Sequence, residues 1–246
     1  MSALFDQETI EELKKIFSAF KKNMKDVLVI DSTDAPGSNS HCNTCPEAKT
    51  LAEELTKISN GKLVFEILDA VKGRTYKPRY LPAFIYDTKK KNIRYYGLPS
   101  GQEFAPFIYI HGYISNGVKL PEAVVEEVET IDTPLHIKVF VTPECPYCPL
   151  VVDFVNQIGL INDNFIVETI EAFEHPIEAD KYMVQYVPFI AINRLEDYDK
   201  YGAKPVEVIP GYVPNEEILE VIKERRENLQ DVEIISFLLN IYIIGE

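Results

Sequence analysis

All four cysteines of this chain fall in two Cys-x-x-Cys pairs, Cys42-Asn43-Thr44-Cys45 and Cys145-Pro146-Tyr147-Cys148, whose first members lie 103 positions apart. Each pair follows a short β-branched run, VLVID at 27–31 and IKVFV at 137–141, of the kind that forms a buried strand. Each pair also opens an amphipathic segment. After Cys45, Leu51, Leu55 and Ile58 mark one helical face, and SNG ending at Gly61 supplies a stop. After Cys148, Val151, Phe154, Val155 and Ile158 do the same, with Gly159 as the expected stop and Pro149 tolerated in the first turn. The chain is therefore expected to pass twice from a strand, through a turn carrying two thiols, into a helix.

The repeat continues downstream. LVFEILDA (63–70) aligns with FIVETIEA (165–172), which places Glu66 21 residues after Cys45 and Glu168 20 residues after Cys148. YLPAFIYD (80–87) aligns with YVPFIAIN (186–193), each a strand opened by a proline, Pro82 or Pro188. YGLPSGQEFAPFI (96–108) and PGYVPNEEILEVI (210–222) both run from a glycine turn into a helix with acids in its first turn. A helix precedes each unit, with Leu13, Phe17 and Phe20 on one and PEAVVEEVETI (121–131) as the other. The boundary is expected near Gly117, giving an N-terminal unit over 1–117 with CNTC and a C-terminal unit over 118–246 with CPYC. The fold class is α/β: two tandem units, each a mixed central sheet flanked by helices.

Composition removes several function classes. A net charge of −14, with no basic stripe carrying interleaved aromatics, repels phosphate backbones, so no nucleic acid is expected as a partner. The first 22 residues hold Asp6, Glu8, Glu11 and Glu12 and no continuous apolar run, so they do not read as a signal peptide; a cytoplasmic location is expected. The most apolar stretch, IISFLLNIYII at 234–244, is 11 residues long, too short for a bilayer, and no membrane partner is expected. GLPSG at 97–101 lacks the lysine of a phosphate loop and reads as a turn. Four cysteines are too few for a disulfide scaffold and point to reactive or metal-binding thiols. Zinc ribbons place their second pair about 15–20 residues on; here 99 residues separate Cys45 from Cys145, which favours redox chemistry over a shared metal. The four histidines (His41, His111, His136, His175) are scattered, and only His41 adjoins a cysteine.

With a Cys pair at each strand-to-helix junction and a later Xaa-Pro strand start, the sequence looks like a thioredoxin-fold protein in tandem. CPYC, YVPFIAIN and the YYGLPSGQEF segment make it resemble, more narrowly, the protein disulfide oxidoreductases of thermophilic archaea and bacteria, also called glutaredoxin-like. The match covers roughly residues 10 to 230; DVEIISFLLNIYIIGE at the C-terminus has no counterpart. The first unit departs from the pattern, with the longer DAPGSNSH before Cys42 and the unusual dipeptide in CNTC. The resemblance implies cis peptides before Pro82 and Pro188, exposing the backbone of Leu81 and Val187 to an extended substrate segment, with Tyr147 as a further substrate contact or packing residue. It also implies protein disulfides as substrates, no bound cofactor, and recharging by an NADPH-dependent, thioredoxin reductase-like flavoenzyme.

The chemistry has a physical reason to sit there. An unperturbed thiol with a pKa near 8.5 is only about 3% ionised at pH 7, and a helix N-terminus stabilises the anion. Cys145, expected in the first turn, is then the nucleophile and Cys148 the resolving thiol, with Cys42 and Cys45 as a second redox pair, against the rival reading of a degenerate pair kept as a structural disulfide. Glu66 and Glu168 are candidate buried proton shuttles, against the plainer reading of carboxylates at a solvated strand edge. The alternative of another class is a non-catalytic module that binds zinc through four cysteines or holds peptides along the Pro82 and Pro188 edges.

Overall fold

The computed structural model describes residues 4–31, 42–198 and 204–224. Asp6 begins the first helix, α1 (Gln7–Ser18), by accepting the Thr9 amide at 2.8 Å, and Leu13 and Phe17 bury its inner face. The first unit then runs β1 (Met24–Ile30), α2 (Cys45–Ile58), β2 (Leu63–Asp69), β3 (Ala83–Ile85), β4 (Ile93–Tyr96) and α3 (Phe104–Asn116). The second runs α4 (Glu122–Glu129), β5 (Leu135–Val141), α5 (Cys148–Ile161), β6 (Phe165–Glu171), α6 (Pro176–Lys181), β7 (Phe189–Arg194), β8 (Glu207–Pro210) and a helical stretch over 215–224. The apolar stretch at 234–244, His41 and the DAPGSNSH segment lie outside the described residues. No helix among the described residues is long and apolar enough to cross a membrane.

The two units do not keep separate sheets. One eight-stranded sheet has the order β2-β1-β3-β4-β6-β5-β7-β8. Within each half the pattern repeats: β1 lies parallel to β2 and antiparallel to β3, as β5 lies parallel to β6 and antiparallel to β7. The join is a parallel pairing of β4 with β6, Ile93 opposite Val167 through Tyr96 opposite Ile170. All seven residues of β5 are buried, as expected for a strand hydrogen-bonded on both sides and covered on both faces.

One face carries the larger core, formed by Leu28, Ile137, Val139 and Val167 of the sheet and by α1, α2, α3, α5 and the 215–224 helix; both cysteine pairs belong to it. The other face carries Val27, Ile85, Phe140 and Ile170 under α6. Gly159 is not a helix stop. It lies inside α5, where an added Cβ would stand 2.7 Å from Val167 and 3.2 Å from Ile93, the register pair at the seam. Glycine there lets the helix settle onto the join, and the helix ends instead at Asn162, whose side-chain amide donates to the Val128 and Ile131 carbonyls. Asn92 stitches the same seam by donating to the Gly159 and Phe165 carbonyls at 3.0 and 2.8 Å.

Candidate redox site

In the second unit, β5 ends at Val141 and the chain turns through Pro143 and Glu144 before α5 begins at Cys148. Cys145 thus stands ahead of the first helical residue rather than inside the first turn. Its sulfur accepts the Cys148 amide at 3.1 Å, so the helix N-terminus still faces it. Cys145 is 6% exposed and Cys148 fully buried, and the two form a disulfide with their Cα atoms 5.5 Å apart. Tyr147 is 54% exposed and stacks on Tyr212 at 5.1 Å. Leu150, in the first turn of α5, is exposed as well, so the polypeptide next to Cys145 offers water an apolar surface.

The first unit repeats the geometry. Cys42 and Cys45 form a disulfide with a Cα separation of 5.5 Å, α2 begins at Cys45, and the Cys45 sulfur accepts the Asp31 amide at 3.3 Å. The peptides Leu81–Pro82 and Val187–Pro188 are both cis, and Leu81 and Val187 pack against the core that holds the cysteines. The four cysteines make two pairs, and among the described residues no three His, Cys, Asp or Glu side chains come together as a metal site would need.

Neither acid read as a proton shuttle stands by a cysteine pair. Glu66 lies at the β2 edge of the sheet, paired with Lys25 at 2.7 Å and partly exposed. Glu168 is fully buried, but strand alternation turns it to the face opposite the cysteines, alongside Ile170. There it accepts from Tyr96 and Tyr198 at 3.1 and 3.0 Å, meets His136 at 2.8 Å and has Arg94 at 3.9 Å. Burial alone would raise its pKa; His136, Lys138 and Arg94 outweigh burial and hold it well below the usual carboxylate range. Since Arg94 and Tyr96 belong to β4, Glu168 ties the two units together.

The sequence reading missed Glu103, which lies in the turn Gly101–Glu103 on the cysteine side. It is fully buried, neither carboxylate oxygen has a hydrogen-bond partner among the described residues, and burial pushes its pKa up to about 8. This turn packs against α5 and holds the loop before Cys145: the Gln102 amide donates to the Pro143 carbonyl at 2.8 Å, and a Cβ on Gly101 would come within 2.4 Å of that oxygen. A signal for its burial is present in FAPFIYI, which follows it: a helix apolar on all sides is buried, and so is the acid that begins it.

Two units built as strand, CxxC turn, helix, strand, cis-proline strand and closing strand define a tandem thioredoxin-fold protein with a disulfide across each CxxC. Residues 135–222 match the family described as a thioredoxin domain. The fold is similar to a protein disulfide oxidoreductase from Aeropyrum pernix, 22% identical, covering 91% of this chain and 94% of that one with a TM-score of 0.75. It is similar also to the alkylhydroperoxide reductase AhpF from Enterococcus faecalis, 20% identical, covering 89% and 99% with a TM-score of 0.73. Among curated proteins, the same reductase component from Staphylococcus aureus is 22% identical over 186 residues, 74% of this chain. The chain spans about a third of the length of that relative, 33%.

Proposed function

We propose that the chain is a thiol-disulfide oxidoreductase acting on protein disulfides, with Cys145 as nucleophile, Cys148 as resolving thiol, and Cys42 and Cys45 as a second pair. The observation that carries this reading is a disulfide closed across each CxxC at the N-terminus of a helix, one of them beside the exposed side chains of Tyr147 and Leu150. In the reducing direction the Cys145 thiolate attacks a substrate disulfide and forms a mixed disulfide, and one substrate sulfur leaves as a thiolate that takes a proton. Cys148 then attacks the Cys145 sulfur, the second substrate thiol departs, and the chain keeps the Cys145–Cys148 disulfide. Two electrons have moved to the substrate, and reversal of the same steps oxidises a dithiol.

Tyr147 and the cis-proline strand starts at Pro82 and Pro188, with Leu81 and Val187, form the substrate-contact surface in this reading. Glu103, protonated for the most part at neutral pH, is the buried acid placed behind α5. The units divide at Gly117, after α3 and before α4. A thioredoxin reductase-like flavoenzyme using NADPH returns the pair to the dithiol, and the likeness to a reductase component supports a partner of that kind. The chain acts in the cytoplasm.

The test is insulin reduction with dithiothreitol as electron source, comparing wild type with Cys145→Ser, Cys42→Ser and the double variant. Loss of turnover in Cys145→Ser and a smaller loss in Cys42→Ser are the expected results. A double variant as active as wild type would overturn the reading.

A further inference from the structure

The two cysteine pairs are related by the internal repeat, yet their surroundings differ where the units meet. After β2, Asp69 accepts the amides of Val71 and Lys72 at 2.9 Å each. After β6, Glu171 accepts the amides of Phe173 and Glu174 in the same way, at 3.2 and 2.7 Å. Lys72 and Glu174 are therefore equivalent positions on equivalent turns. Because β2 is an outer strand, Lys72 points into solvent, its side chain 75% exposed. Because β6 pairs with β4, Glu174 points at the first unit.

What it reaches is the CNTC loop. One carboxylate oxygen of Glu174 accepts the Thr44 hydroxyl, and the other accepts the Leu98 amide at 2.7 Å. Gly97 admits this approach, since a Cβ there would stand 2.7 Å from Glu171 and 3.0 Å from Glu174. In the repeat, Thr44 corresponds to Tyr147, which is exposed and stacked on Tyr212. The third residue of one CxxC is thus pinned by the other unit, while its counterpart stands open.

We propose that Glu174 is a positioning residue for the first unit's thiol pair: it pins the CNTC loop through Thr44 and sets a negative charge against the thiolate that Cys42 must form. The charged groups around this loop are Asp31 at the end of β1, Glu47 in the first turn of α2, and Glu171 and Glu174 from the second unit. Among the described residues all of these are acids, so what stabilises the anion there is the N-terminus of α2, against their charge. Glu174 has its carboxylate hydrogen-bonded to Thr44, between the two cysteines. Its effect is to make Cys42 the weaker nucleophile of the two first cysteines.

This assignment rests on the dithiol reading and is tested separately from it. The full chain carrying Cys145→Ser and Cys148→Ser, fully reduced, is alkylated with iodoacetamide across pH 5 to 9, and Cys42 modification is followed by mass spectrometry. Glu174→Gln keeps a hydrogen-bonding partner for both Thr44 and Leu98 and removes the charge. The expected result is a midpoint lowered by about one pH unit and a rate at pH 7 raised about threefold, the gain in thiolate being partly offset by its lower intrinsic nucleophilicity. Glu174→Ala, which removes pin and charge together, is expected to shift the midpoint the same way and serves if the first variant does not fold. A midpoint unmoved in either folded variant overturns the proposal. Failure of insulin turnover in the wild type would instead sink the oxidoreductase reading, while the alkylation midpoint would still report on Glu174.

Discussion

Replacing Glu103 by Gln tests the most unusual group on the cysteine side of the sheet. The wild-type carboxyl is fully buried, without a hydrogen-bond partner among the described residues, and its pKa is pushed up to about 8 from an ordinary 4.5. A folded state that holds a proton more tightly than the unfolded chain is favoured at low pH. Below about pH 4.5 both states are protonated and the group adds no pH-dependent cost. Between about pH 4.5 and 8 the unfolded chain releases its proton while the folded one retains it, and stability falls by about 1.4 kcal/mol per unit, on the order of 5 kcal/mol in all. Above about pH 8 the cost is constant. Gln has nearly the same shape and does not titrate, so the stability difference between variant and wild type isolates this group from every other titrating residue. Urea denaturation of the two oxidised proteins between pH 4.5 and 8.5 should show curves that diverge, with the variant gaining on the wild type by several kcal/mol as pH rises. Parallel curves across that range would show that the carboxyl ionises freely, and the account of its burial would be wrong.

Other substitutions probe the seam and the substrate face. Gly159→Ala forces a methyl against Val167 and Ile93 and should destabilise the chain by about 1–3 kcal/mol in urea denaturation, with no change in the chemistry of the cysteines. Glu168→Ala strips the partner from His136, Arg94 and the two tyrosines and should cost about 3–5 kcal/mol, read from the same measurement. Tyr147→Ala should lower kcat/KM for insulin about three- to tenfold while leaving reaction with a small aromatic disulfide unchanged, because only a polypeptide is long enough to use the exposed ring.

Much of this molecule was legible in the residues because local patterning and tertiary role agree. β-branched runs before each CxxC became β1 and β5, the apolar faces of Leu51, Leu55 and Ile58 and of Val151, Phe154 and Val155 became buried sides of α2 and α5, and the prolines before β3 and β7 are cis as the resemblance implied. The failures have one physical source. Strand alternation decides which face a carboxylate meets, and the repeat alone did not say which face the thiol helices cover; Glu168 was therefore assigned to the cysteines although it lies across the sheet from them. Gly159 was read as punctuation because a close approach between α5 and a strand of the other unit leaves no local trace. Glu103 passes in the sequence as one more acid in the first turn of a helix, because nothing in its own turn says that the helix behind it is enclosed.

A repeat in sequence predicts two equal sites, and the way the units are joined makes them unequal. They are related by a shift along the sheet, so the trailing strand of the first, β4, meets β6, which corresponds to the outermost strand of the first, β2. Residues at that join acquire neighbours that their repeat partners lack. Glu174 gains Thr44 of the other unit where Lys72 is exposed and pairs with Asp69 of its own turn, and Gln102 gains the Pro143 carbonyl next to the second cysteine pair. The contacts run in both directions: the second unit holds the loop of the first pair, and the first unit holds the loop that leads to the second pair. Separating the halves would therefore alter both sites, and it would change the first by removing a charge and a pin, the second by releasing a backbone support. A difference in thiol acidity between Cys42 and Cys145 follows from this asymmetry at the join, even where the residues of each unit on its own repeat faithfully.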